Sequence, residues 1–168
     1  MPFNSQMCIP TELTLRTTKD GVRLNSFPVE EFKTLLHRQY TSDHTLSPSE
    51  ANAVLAKFSD PDLLLHMRIT YKMNNASGSN FCINDRPIVD VNASFDLLNG
   101  RFYSPQKFGG LEYQFDLYLD RTSVEVFMEG GLYNWVSELV CNQAGRKFEF
   151  GGDVTVTELI IDTIDSIW

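Results

Sequence analysis

Residues 111 to 129 carry the sharpest pattern in the chain. Leu111, Tyr113, Phe115, Leu117 and Leu119 share one parity, and Glu112, Gln114, Asp116, Tyr118 and Asp120 share the other. A period of two is the mark of a strand with one face in a core. Asp120 to Ser123 supply turn-forming side chains, and Val124, Val126 and Met128 resume the alternation. Pairing Asp120 with Ser123 sets Leu119 against Val124, Leu117 against Val126 and Phe115 against Met128. All six then lie on one face, so burial selects this register. Gly130-Gly131 closes the second strand with residues that accept positive φ.

Similar alternation predicts further strands. Residues 11–18 and 22–27 flank an Asp20-Gly21 turn, and a hairpin there gathers Leu13, Leu15, Val22 and Leu24 on one face. A helical turn is expected within 30–37. Ser47-Pro48-Ser49-Glu50 has the form of a capping box, which would start a short helix over 51–58. Residues 63–73 alternate cleanly, with His66 and Arg68 on what should be a solvated face. Phe81 and Ile83 form a short strand ended by Asn84 to Pro87, and alternation returns over 89–97. Asn99-Gly100 should then turn the chain to set Phe102 opposite Leu97. Residues 132–141 are apolar at both parities, as in a strand covered on both sides, and 154–163 are rich in β-branched residues. About 11–12 short strands at this spacing indicate an all-β chain folded as a two-sheet antiparallel β-sandwich, with residues 1–168 as a single module.

Composition narrows the function. The chain has 168 residues, 42% hydrophobic and 21% charged, ordinary for a globular domain. Its net charge of −8 repels nucleic-acid backbones and anionic membranes, so neither is expected as a partner, whereas neutral sugars remain compatible. Cys8, Cys82 and Cys141 have no paired spacing and are expected to be buried free thiols. The residues from Met1 to Gln6 lack the apolar stretch of a signal peptide. His37, His44 and His66 do not cluster at ligand spacing, so neither metal nor other cofactor is expected.

Three stretches carry a family resemblance. Asp120-Arg121-Thr122-Ser123-Val124-Glu125-Val126-Phe127 resembles a run in the C-terminal β-sandwich of glycoside hydrolase family 32, the levanase, inulinase and invertase-like fructosidases. Residues 7–16 with 20–31 resemble the start of that sandwich, although Thr11 replaces a frequent Arg and Ser26 stands near a common Gln. Ser166-Ile167-Trp168 is similar to its close. The resemblance implies a strand near 53–58 in place of the helix, and we take the strand as the expectation. It also implies a parent enzyme that acts outside the cytoplasm, in the extracellular medium or periplasm, and a five-bladed catalytic propeller as the partner of this module.

Family 32 catalysis needs a carboxylate pair, found in that family within Asn-Asp-Pro and Glu-Cys, with a supporting Asp in Arg-Asp-Pro. None occurs here. Asn84-Asp85-Arg86-Pro87 and Ser59-Asp60-Pro61-Asp62 lack the required order and read as turns. No catalytic residue is assigned, and the chain alone is expected to be inactive. The residues most suggestive of sugar binding, or of an interface, are Tyr118, Glu125, Phe127, Tyr133, Trp135 and Arg121, because sugars stack on flat aromatic faces. Covered rings and a Glu125 brace to the turn are the alternative for these positions. The module is thus expected either to support and shape the propeller or to act alone as a fructan-binding module for levan or inulin. Without the propeller, one sticky face should favour self-association.

Overall fold

A computed structural model describes residues 8–18, 21–75, 78–91, 102–103 (as backbone), 112–139 and 145–165. The chain is an all-β sandwich. Its strands are β1 (Thr11–Thr18), β2 (Gly21–Pro28), β3 (Leu36–Thr41), β4 (Leu65–Met73), β5 (Ser79–Ile83) and β6 (Arg86–Val91). After them come β7 (Phe102–Tyr103), β8 (Glu112–Leu119), β9 (Ser123–Met128), β10 (Tyr133–Glu138), β11 (Phe148–Gly151) and β12 (Val154–Ile164). A six-stranded sheet runs β10-β9-β8-β4-β12-β3, and a four-stranded sheet runs β11-β5-β6-β7. The paired strands are antiparallel except β6 and β7, which are parallel.

The β8–β9 hairpin has the register that burial demands: Leu119 opposes Val124, Leu117 opposes Val126 and Phe115 opposes Met128. All six side chains are fully or almost fully buried, and Phe115 packs on Phe81 of the facing sheet at 5.7 Å between ring centroids. Asp120 N–H donates to the Ser123 carbonyl at 2.9 Å and closes the turn. Beyond β9, Glu129, Gly130 and Gly131 take positive φ. A Cβ on Gly131 would sit 2.2 Å from the Ser26 carbonyl oxygen, so glycine lets β2 approach there.

Several expectations are corrected. Residues 48–55 form a helix, α1 (Pro48–Leu55), and not a strand. Ser47 Oγ accepts from Glu50 N–H while Ser47 N–H donates to Glu50 Oε2 at 2.8 Å. This reciprocal cap, with Pro48 in the first turn, fixes helical geometry locally. Ala51 and Leu55 are buried, and Asn52 Oδ1 accepts from Phe150 N–H at 2.9 Å, tying α1 to β11. β10 is an edge strand, with Val136 exposed, and is not covered on both sides. Residues 36–41, unassigned from sequence, supply the opposite edge as β3 behind a 3-10 turn at Glu30–Leu35. Cys8 is exposed and Cys82 half-buried, so neither is a buried core thiol. The Asn99-Gly100 turn and Cys141 lie outside the described residues.

β1 and β2 form a separate two-stranded arm. Thr18 pairs with Gly21, so Gly21 belongs to β2 and not to the Asp20-Gly21 turn expected. Leu15 opposes Leu24 and Thr17 opposes Val22, so the apolar residues still share a face. The arm is tied to the sandwich at its base, where Ser26 N–H donates to the Gly131 carbonyl at 3.0 Å and Arg16 Nη1 to the Glu129 carbonyl at 2.9 Å.

Candidate functional site

Two features stand out, one buried and one bare. The first lies on the face of the six-stranded sheet turned away from the core. His66 on β4 is only 4% exposed, although its parity had suggested a solvated position. Its Nδ1 lies 2.8 Å from Asp162 Oδ2 and its Nε2 lies 2.9 Å from Asp116 Oδ1. Each nitrogen–oxygen contact needs a proton between the two atoms, so this short chain holds two. β4 pairs with β12 and with β8, and the registers set His66 directly opposite Asp162 and Tyr118. Both aspartates are also bound by arginine: Arg68 Nε donates to Asp116 at 2.9 Å and Arg38 Nε to Asp162 at 2.5 Å. Each buried carboxylate thus has an arginine and an imidazole nitrogen as partners, and paired, hydrogen-bonded charge of this kind is tolerated in an interior.

Aromatic rings roof this cluster. Tyr118 stacks on His66 with centroids 4.6 Å apart, and Phe32 and Phe127 meet Tyr118 edge-on at 5.5 and 5.7 Å. Phe27 packs on Phe127 at 5.7 Å. Residues 27–36 therefore cover the outer sheet face, and Tyr118 and Phe127 are buried by their own chain. Beside the roof opens a cavity of about 320 Å³, lined among others by Phe27, Lys33, Arg38, Arg68, Tyr118 and Asp162. Among the described residues, no group of His, Cys, Asp and Glu is arranged to hold a metal ion. Both His66 nitrogens are already engaged by carboxylates.

The six residues singled out from sequence do not form one surface. Tyr118, Glu125 and Phe127 share the outer face, whereas Trp135 opposes Val126 and Tyr133 opposes Met128 on the core side. Tyr133 and Trp135 pack against the core, and Trp135 Nε1 donates to the Ile88 carbonyl at 3.2 Å. Glu125 faces Tyr118, and its Oε1 accepts from Ile9 N–H at 2.9 Å, bracing the segment that leads into β1. Burial pushes its carboxyl up, an effect the Ile9 hydrogen bond partly offsets. Arg121 is exposed and reaches Asp62 at 3.2 Å. Phe108 and the side chain of Tyr103 lie outside the described residues.

The strings nearest to catalytic motifs are turns. Asn84 and Asp85 have φ of 51° and 61° between β5 and β6, and Asp60 Oδ1 accepts from Asp62 N–H at 2.9 Å. Sequence reading missed Arg146, which is buried and donates to the carbonyls of Leu63, Pro61 and Asp120 at 2.6–2.8 Å.

The second feature is the free face of the arm. Leu13, Leu15, Val22 and Leu24 are 63%, 76%, 58% and 60% exposed. On the reverse side Arg16 and Arg23 stand directly opposite each other.

No protein-family model matches the chain. It is similar to a levanase from Bacillus sp. (strain L7), 25% identical over 190 aligned positions that cover 99% of this chain and 21% of the levanase. Among solved structures, an exo-inulinase from Aspergillus awamori superposes with a TM-score of 0.63 at 16% identity, covering 100% of this chain and 38% of the inulinase. A sucrose-6-phosphate hydrolase from Lactobacillus gasseri gives 0.56 at 16% identity, covering 93% and 33%. The chain has the fold of one part of these enzymes. The chain spans about a fifth of the levanase it matches, so it corresponds to one part of that protein. Among the described residues, no helix is long and apolar enough to cross a membrane.

Proposed function

We propose that the chain is the non-catalytic C-terminal β-sandwich of a fructan-active family 32 hydrolase. In this reading it stabilises a five-bladed catalytic propeller and shapes its surroundings. The observation that carries the proposal is the arm's exposed face, where Leu13, Leu15, Val22 and Leu24 sit mostly in water on a two-stranded sheet, with no second layer among the described residues. An apolar stripe of this kind marks an interaction surface. The relatives hold much chain beyond the matched part, which supplies an occupant. Catalysis requires two carboxylates facing one bond. The best-placed buried pair, Asp116 and Asp162, is locked onto His66 and two arginines beneath aromatic rings, which supports a structural role.

An independent fructan-binding module would need an open aromatic platform. Tyr118 and Phe127 are covered, and Trp135 lies on the opposite side of the sheet, so the domain reading is the better supported. The test joins genome and assay. The DNA upstream of Met1 is expected to encode Asn-Asp-Pro, Arg-Asp-Pro and Glu-Cys, and the purified chain is expected to release no fructose from sucrose, inulin or levan. Fructose release abolished by a single Asp or Glu substitution in this chain would overturn the reading. So would an upstream sequence with no trace of those motifs.

A further inference from the structure

The cavity beside His66 has a composition that neither the core nor the arm requires. Its charged lining is Lys33, Arg38 and Arg68 with Asp162, and its apolar lining is Phe27, Leu36 and Ile160. Three cations line one opening in a chain of net charge −8, each with one carboxylate partner: Lys33 with Glu30, Arg38 with Asp162 and Arg68 with Asp116. The aspartates do not consume the donors of the arginines. Arg38 and Arg68 each use Nε on an aspartate; Arg38 spends one further nitrogen, Nη1, on Thr41 Oγ1 at 2.9 Å. Among the described residues, the Nη atoms of Arg68 carry no hydrogen bond. The carboxylates thus act as splints that hold two guanidinium groups in place, and donors fixed before binding lose less entropy on binding. Asp162 already accepts on both oxygens, from His66 and from Arg38, so the charged lining offers donors in excess of acceptors. The complementary ligand is rich in acceptors and carries negative charge. At about 320 Å³ the cavity is at the small end of ligand pockets, roughly 300–1,000 Å³, and its apolar wall suits the C–H face of a ring.

We propose that this pocket binds a small oxyanion carried on a ring of sugar size, a sugar phosphate or a sugar carboxylate. Arg68 and Arg38 meet the oxyanion, Lys33 adds charge at the mouth, and the ring lies against Phe27 and Leu36.

Trp135 is remote from the pocket, so tryptophan fluorescence is the wrong probe, and backbone amide shifts are the right one. The 168-residue chain is titrated separately with glucose 6-phosphate, glucuronate, inorganic phosphate and neutral fructose. Saturable shifts clustered at residues 36–38, 66–68 and 160–162 are expected with glucose 6-phosphate or glucuronate at about millimolar affinity, weakened by salt. Fructose should leave these amides unmoved at the same concentration. The two charged sugars identify the oxyanion, and phosphate alone shows what the ring contributes. Lys33→Gln, at an exposed position, should weaken binding severalfold without altering the fold. Arg68→Gln should weaken it about tenfold or more, given the strength of charge-assisted hydrogen bonds. Equal binding of fructose would overturn the proposal, as would silence at these amides with all four probes. Shifts that Lys33→Gln and Arg68→Gln both leave unchanged would overturn it as well.

Discussion

The arm offers a direct comparison of one residue type in two settings. Leu15 and Leu24 face each other across β1 and β2 at 76% and 60% exposure. Fully burying a leucine contributes about 1.5–3 kcal/mol, so the area still in water holds about 1–2 kcal/mol per residue for whatever covers the face. Within the chain itself, each leucine gains only the remaining fraction, about 0.5–1 kcal/mol. The double substitution Leu15→Ser and Leu24→Ser should therefore cost the isolated chain about 1–2 kcal/mol in urea unfolding. Leu117→Ala is the control, since Leu117 is fully buried between the sheets and its truncation should cost about 2–5 kcal/mol alone. The same double variant should abolish hydrophobic-dye binding and the self-association expected at high concentration, read by sedimentation across a dilution series. A double variant as damaged as Leu117→Ala would mean that the arm is packed, and a wild-type chain that is strictly monomeric and dye-silent would mean that its face needs no partner. Either result removes the arm as the contact with the proposed propeller.

Other perturbations test separate parts of the account. Burial holds the Glu125 carboxyl above its ordinary value near 4.5, so its contribution to stability is fully present below that value and is lost as pH rises through the folded-state value. Glu125→Gln, which keeps an acceptor for Ile9, should raise the melting temperature at pH 7 and lose that advantage below about pH 4. Arg146→Ala leaves the carbonyls of Pro61, Leu63 and Asp120 without their donor and should cost about 3 kcal/mol in urea unfolding. Asp116→Asn breaks a buried charge array and should cost about 3–5 kcal/mol, with loss of the near-ultraviolet signal from Tyr118, which stacks on His66.

What could be read in the sequence was what neighbours along the chain decide. The β8–β9 register followed from parity and a turn, because any slip would turn Leu117 and Val126 out of the core. The start of α1 was also legible in Ser47 and Glu50, and only the weight given to a resemblance turned it into an expected strand. The His66 cluster was not legible, since its aspartates lie 50 and 96 residues away and meet only after three strands align. An alternating His and Arg on a strand looks like a solvated face until residues 27–36 are known to fold over it. Arg146 gave no signal because its partners are backbone carbonyls, which every sequence offers everywhere.

The order of the six-stranded sheet also governs when the domain can exist during synthesis. β12 lies between β4 and β3, although both are made about a hundred residues earlier. Until 154–164 leave the ribosome, β3 has no neighbour and β4 shows an unpaired edge to the cytosol or translocation machinery. Long-range pairing of this kind is slow and exposes strand edges to other chains. Hence a nascent or truncated chain that stops before Val154 should behave as an aggregation-prone intermediate even though its most hydrophobic hairpin is complete.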